Sequence, residues 1–148
     1  MDNIKALYAK PLPSSRSGAF YNTFPYPTKI SPEAIAVYIA CTTKPGDIVL
    51  DAFAGSGSTG VAALLCEHPT QRMKEIAKNL NVTPVWGVRN AVLYEIGTYA
   101  SFAIRTILGR ITSCEFTKAV DDFLKKAQDL IGELYEVTDP VGATGTIR

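Results

Sequence analysis

The chain has 148 residues, which fits one domain, and at that size roughly 68–70% of the unfolded surface can be buried, so a core is within reach. Hydrophobic residues make up 47% and charged residues 20%; no apolar run reaches the ~18 residues of a membrane span, and Met1-Asp-Asn-Ile-Lys opens no secretory signal, so a cytoplasmic protein is expected. The net charge of +1 lacks the basic surplus of a chain that grips DNA alone, so any such grip is expected from another part of the protein.

Cys41, Cys66 and Cys114 lie far apart and none belongs to a CxxC, which argues against a disulfide framework and against zinc. They are expected to be buried or half-buried thiols. The lone His68 has no Cys or His neighbour to share a metal, and none is expected.

Residues 1–30 read as irregular, because Pro11, Pro13, Pro25 and Pro27 disfavour helix and hold the chain extended. Ser31-Pro32-Glu33 then starts a helix, with a capping residue, a proline at the first helical position and an acid at the positive end of the dipole. Pro45-Gly46 ends it. Residues 47–53 predict a buried strand around Ile48, Val49 and Leu50. A glycine-rich loop follows, then a helix over 59–66. Strand, glycine loop and helix form the first half of a βαβ unit.

A second short helix is predicted within 69–81, with Met73, Ile76, Ala77 and Leu80 on one face. Residues 82–89 read as loop or weak strand, and 91–95 as a second strand ending on Glu95. Thr98 is placed as the cap of a helix to about 109, with Tyr99, Phe102, Ala103, Thr106 and Ile107 inward. The clearest periodicity runs from about 115 to 135 as an amphipathic helix, and 137–148 reads as a flexible tail. The expected organisation is a single partial domain: irregular residues 1–30, a cofactor-binding core over 31–110, the long helix over 111–136 and the tail. Two confident strands are too few for a complete doubly wound enzyme.

Gly55, Gly57 and Gly60 satisfy G-x-G-x-x-G between strand and helix. Glycine there lets the backbone turn tightly and a ligand approach. A P-loop is excluded, since no lysine precedes the Ser/Thr and the glycine spacing differs. A nicotinamide or flavin dinucleotide fits the glycines, but Asp51 at the strand end would work against a diphosphate, and Glu95 lies 35 residues after Gly60 rather than about 20. S-adenosylmethionine carries a sulfonium and an ammonium and no phosphate, so an acid beside the loop favours it. Glu95 at the next strand end can accept from both ribose hydroxyls.

Asp51-Ala-Phe53-Ala-Gly55-Ser-Gly57-Ser-Thr59-Gly60 resembles motif I of the DNA N6-adenine and N4-cytosine methyltransferases, D-x-F-x-G-x-G-T-T-G. Phe24-Pro-Tyr-Pro-Thr28-Lys29-Ile-Ser-Pro32-Glu33, leading by a helix to Lys44-Pro-Gly46-Asp47, resembles the motif that precedes it there. Leu93-Tyr94-Glu95-Ile96 resembles the ribose-binding strand end. The resemblance covers about residues 22–110 and implies a Rossmann-like methyltransferase fold, here helix-rich, partial and with few strands. It implies that Phe53 packs on S-adenosylmethionine, that the loop of Gly55, Ser56, Gly57, Ser58 and Thr59 supplies backbone contacts, and that Thr28 and Lys29 lie near its carboxylate. Asp51 and Glu95 complete the implied set. The family's catalytic [DNS]-P-P-[YFW], which holds the flipped base, has no counterpart: no Pro-Pro occurs, and Asp139-Pro140-Val141-Gly142 lacks the second proline and the ring. It reads as a turn.

The expected function is therefore the cofactor-binding part of a DNA methyltransferase acting on an exocyclic amine, inactive alone. DNA would be met through the missing part, which the stop at Arg148 suits. The alternatives are a non-catalytic interaction module that pairs with a separate catalytic or target-recognition subunit, and a dinucleotide-binding domain.

Overall fold

The computed structural model describes residues 3–12, 19–23, 26–27, 29–109, 111–138 and 140–146. The chain forms two compact units, Met1–Gly109 and Arg110–Arg148.

The first unit is built around α3 (Pro32–Thr42), after the short helices α1 (Asn3–Tyr8) and α2 (Ala19–Asn22). Both short helices depart from the expectation of an irregular start. The prolines act only on their own neighbourhood, and α1 precedes them. Its Ala6 and Leu7 are buried, and the Tyr38 hydroxyl donates to the Leu7 carbonyl at 2.7 Å. Proline opens α3 as expected, but Ser31 makes no side-chain cap hydrogen bond.

A single helix-rich core follows from small residues. Ala34, Ala36 and Ala40 of α3 and Ala62 and Ala63 of α4 (Ser58–Leu65) are buried, which lets the two backbones approach closely. The buried Cys66 thiol donates to the Ala36 carbonyl at 3.5 Å. On the other side of α3 lies α5 (Gln71–Leu80), burying Met73, Ile76, Ala77 and Leu80, the face read from the sequence. Thr70 caps α5 by accepting from the Met73 amide at 3.2 Å, and its hydroxyl donates to Glu33 of α3 at 3.0 Å. Helix α5 fills the long crossing between the first helix after the loop and the second strand.

That crossing returns through residues 82–89 without forming a strand. Arg89, only 2% exposed, anchors it. Its guanidinium donates to the Thr43 hydroxyl and carbonyl and to the carbonyls of Val85 and Gly87, at 2.6–3.1 Å. Among the described residues this buried cation meets no carboxylate and is held by oxygen dipoles.

Strands β1 (Ile48–Asp51) and β2 (Asn90–Leu93) pair in parallel, with Ile48 opposite Asn90 and Asp51 opposite Leu93. Their alternation places Val49, Asp51 and Leu93 toward α4, half-buried. Ile48, Leu50 and Val92 point the other way and are exposed. The strand read as buried from its apolar run is thus covered on one face only within this unit, because none of the unit's described helices packs on the other. Helix α6 (Thr98–Leu108) is capped by Gly97 rather than Thr98 and buries Ala100 and Ala103; Tyr99, Phe102 and Thr106, expected inward, are exposed. The stripe that packs joins Ala100 and Ala103 with Ile104 and Leu108, for which the missing side chains of Gly57 and Gly60 leave room.

In the second unit, α7 (Ser113–Ile131) has a full capping box between Thr112 and Glu115. A 3₁₀ turn (Gly132–Tyr135) follows, and then a short antiparallel hairpin of β3 (Glu136–Thr138) and β4 (Thr144–Thr146) where a flexible tail was expected. Among the described residues no helix is long and apolar enough to cross a membrane.

Candidate functional site

The site lies where β1 and β2 end. The parallel ladder runs on beyond β2, with the Tyr94 amide donating to Asp51 and the Ala54 amide to Tyr94, both at 2.9 Å. This holds the loop after β1 beside the segment after β2. The Asp51 carboxylate then organises the turn. One oxygen accepts from the Phe53 amide at 3.0 Å, and the other from the Thr59 hydroxyl at 2.6 Å. Asp51 thus ties the strand end to the first turn of α4.

Gly55 and Gly57 have φ of +52° and +78°, a region glycine enters without steric cost. Their missing side chains also make room for this chain's own residues. A Cβ on Gly55 would lie 2.9 Å from the Tyr26 ring, one on Gly57 2.9 Å from Ile104, and one on Gly60 2.6 Å from Leu108. The tight turn expected of the glycines is present, and close packing within the chain supplies a second reason for them. Gly57 offers no side-chain cap, so the first-turn amides of α4 face the loop without an intrahelical acceptor.

Glu95 joins the two strand ends. One carboxylate oxygen accepts from the Gly55 amide and the other from the Gly97 amide, each at 2.7 Å. Two short bonds fix the plane of the carboxylate and leave each oxygen one further acceptor site.

Two adjoining pockets result. One, of about 130 Å³, includes Tyr26, Asp51, Gly55, Ser56, Ser58 and Thr59 in its lining. The other, of about 350 Å³, is lined by Ala52, Phe53, Tyr94, Glu95 and Ile96. Phe53 also lines the first and is 91% exposed, so it stands between them and is no part of the core. The buried Ser56 and Ser58 hydroxyls bond to each other at 2.9 Å. Among the described residues, neither pocket has Lys or Arg in its lining.

Of the residues named from the sequence, Asp51, Phe53, Gly55, Ser56, Ser58 and Thr59 come together at the first pocket, and Glu95 meets Phe53 at the second. Gly57 serves the turn. Lys29 lines neither pocket: it is buried, its ammonium donates to the Phe20 carbonyl at 2.6 Å and lies 4.4 Å from the Phe20 ring centre, and burial lowers its pKa. Thr28 lies outside the described residues, as do Arg16 and Asp139. Tyr26 was not singled out from the sequence, although Phe24-Pro-Tyr-Pro brackets an aromatic ring with prolines that restrict its backbone. Cys66 is buried and Cys41 half-buried as expected, whereas Cys114 is exposed on α7, where no core forms over it.

Two parallel strands whose ends carry a glycine turn, a helix start and a clamped acid make an α/β unit open at the carboxyl ends of its strands, the place where ligands bind in open α/β sheets. A family model described as DNA methylase matches residues 3–97, more than half of the chain, and the chain belongs to that family, the N6-adenine and N4-cytosine DNA methylases. No curated protein and no solved structure matches it.

Proposed function

We propose that the Met1–Gly109 unit is the S-adenosylmethionine-binding part of a DNA methyltransferase acting on adenine N6 or cytosine N4. The observation that carries this reading is the charge of the cradle: two carboxylates, Asp51 and Glu95, border adjoining pockets with no cation among the described residues of their lining. That arrangement repels a diphosphate and suits a ligand bearing a sulfonium and an ammonium. The family's general use of S-adenosylmethionine agrees with it.

The donor set fits the cofactor part by part. The second acceptor sites on Glu95 suit a ribose diol, and Phe53 offers an exposed ring for packing. Asp51 suits the ammonium, while the Ser56 and Ser58 hydroxyls and the first-turn amides of α4 suit the carboxylate. Bound there, the cofactor would supply an electrophilic methyl group. The family resemblance assigns Thr28 and Lys29 to the neighbourhood of the cofactor's carboxylate, and Lys29 reaches it only by leaving the Phe20 carbonyl.

Transfer to a base needs the missing [DNS]-P-P-[YFW] element, which positions the amine in line with the methyl. A segment or subunit carrying it, and reading DNA, would complete a Rossmann-like sheet over Ile48, Leu50 and Val92. Parallel sheets are ordinarily covered on both faces.

Calorimetry of the folded chain with S-adenosylmethionine and its demethylated product tests the reading. Heat of binding from either is expected, with no methyl transfer to DNA by the chain alone. No heat from either, with NADH binding seen by fluorescence, would return the site to the dinucleotide reading.

A further inference from the structure

The Arg110–Arg148 unit carries a second, independent feature. Along α7 and the turn after it, apolar residues stand at Phe116, Val120, Phe123, Ala127, Leu130 and Leu134. From Phe116 to Leu130 the intervals alternate four and three within α7, a seam of period 3.5 that keeps one line facing a partner helix, and Leu134 follows on the 3₁₀ turn, after Ile131 leaves helical geometry at φ −132°. Leu124 and Ile131 widen the seam along one side. No residue of α7 is buried; Phe123 is 69% exposed and Leu130 83%.

The size of this face says how much it can hold. With side chains of the order of 150–200 Å² each, the exposed fractions amount to roughly 700 Å² of apolar surface. This exceeds the largest patch on a typical monomer, ~300–600 Å². It approaches the ~800 Å² that each partner contributes to a standard stable interface.

We propose that α7 is the interface of an antiparallel dimer of this chain. The seam is complementary to its own reverse. Turned about Lys125, it lays Val120 against Leu130 and Phe123 against Ala127 of the second copy, with Phe116 at each end toward the turn that carries Leu134. Each layer then joins unlike residues, and the central one sets a ring against a methyl group. A parallel pair would set Phe123 on Phe123 and Ala127 on Ala127, crowding one layer and hollowing the next. On one flank the reversed helices bring Leu124 to Leu124. On the other, two Lys126 stems can spread their ammonium groups into water. The contact is isologous and closes at two copies. It does not depend on S-adenosylmethionine binding.

The test is sedimentation equilibrium of the full chain from micromolar to near-millimolar concentration, with oxidative cross-linking of Lys126→Cys in a Cys114→Ser background. A concentration-dependent species of twice the 16.0 kDa chain mass is expected, with the introduced thiol linking to its own copy across the axis. Phe123→Asp and Leu130→Asp should each raise the dimer dissociation constant at least tenfold, as loss of a central anchor does. Both residues are exposed in the single chain, so the circular dichroism of each variant should stay unchanged. A monomer at every concentration overturns the proposal. So does a dimer that survives both substitutions, or one that the introduced thiol does not cross-link.

Discussion

Replacing Glu95 by Ala removes both bonds that hold the glycine loop to the second strand end. Charge-assisted hydrogen bonds contribute ~1.5–3 kcal/mol each, and a buried amide left without an acceptor costs ~1–3 kcal/mol. Glu95 and Gly97 are half-buried, so water can serve the Gly97 amide in the variant, whereas Gly55 is buried and its amide stays unserved. The expected loss is therefore about 2–3 kcal/mol, a large part of the ~5–15 kcal/mol that holds a domain together. Trp86, the single tryptophan, lies in the same unit and reports its unfolding by fluorescence. With a urea dependence of ~1–2 kcal/mol per molar, the midpoint should fall by roughly 1.5 M. Glu95→Gln should recover part of this, because its carbonyl oxygen can serve the Gly55 amide while its NH2 group meets the Gly97 amide as a donor against a donor. A Glu95→Ala chain within ~0.5 kcal/mol of the parent would refute the clamp as a structural element.

Gly57→Ala should destabilise by ~1–3 kcal/mol, since it meets Ile104 at 2.9 Å at positive φ, whereas Gly46→Ala, at φ +92° with open space around it, bears backbone strain alone and should cost about 1 kcal/mol. Equal losses in urea melts would contradict the packing role of the loop glycines. Arg89→Met should cost ~2–4 kcal/mol, because it strips hydrogen bonds from the Thr43, Val85 and Gly87 carbonyls in a buried site; a melt like that of the parent would show the anchor to be dispensable. Burial pushes the Cys41 thiol from 9.0 up to about 11. The folded chain then keeps a proton that the unfolded chain releases, so this contribution to stability is full below pH 9 and is lost as pH rises toward 11. Cys41→Ala should flatten that decline, and an unchanged profile would assign it to other groups.

The strand, turn and helix around the loop were legible because each carries a local signal. Ile48-Val49-Leu50 is an apolar run, the glycines sit where φ turns positive, and Pro32 and Pro45-Gly46 bracket α3. Helix α5 was legible on both its existence and its face, since Met73, Ile76, Ala77 and Leu80 stand on an otherwise polar helix. The facing of α6 was not. It is apolar on several sides, and periodicity cannot say which side packs when the partner is a glycine loop with room only for Ile104 and Leu108. Helix α1 was masked by the prolines that follow it, and its reason lies in a remote contact, Leu7 with Tyr38. The Asp51–Thr59 and Glu95–Gly55 bonds span 8 and 40 residues, so no local pattern announces them. Asp51 and Glu95 were singled out by their charge at the strand ends, and Gly55 and Thr59 by the glycine pattern and the family resemblance, none of which shows the contacts themselves.

The most direct test of the cofactor cradle is isothermal titration of the folded chain and of its Glu95→Ala variant with S-adenosylmethionine, the variant taken below its unfolding transition. Saturable binding to the parent is expected, with a loss of at least tenfold in affinity when the ribose acceptor is removed. Equal affinity in both chains, or no binding by a parent shown to be folded, would contradict the assignment of the site to this cofactor.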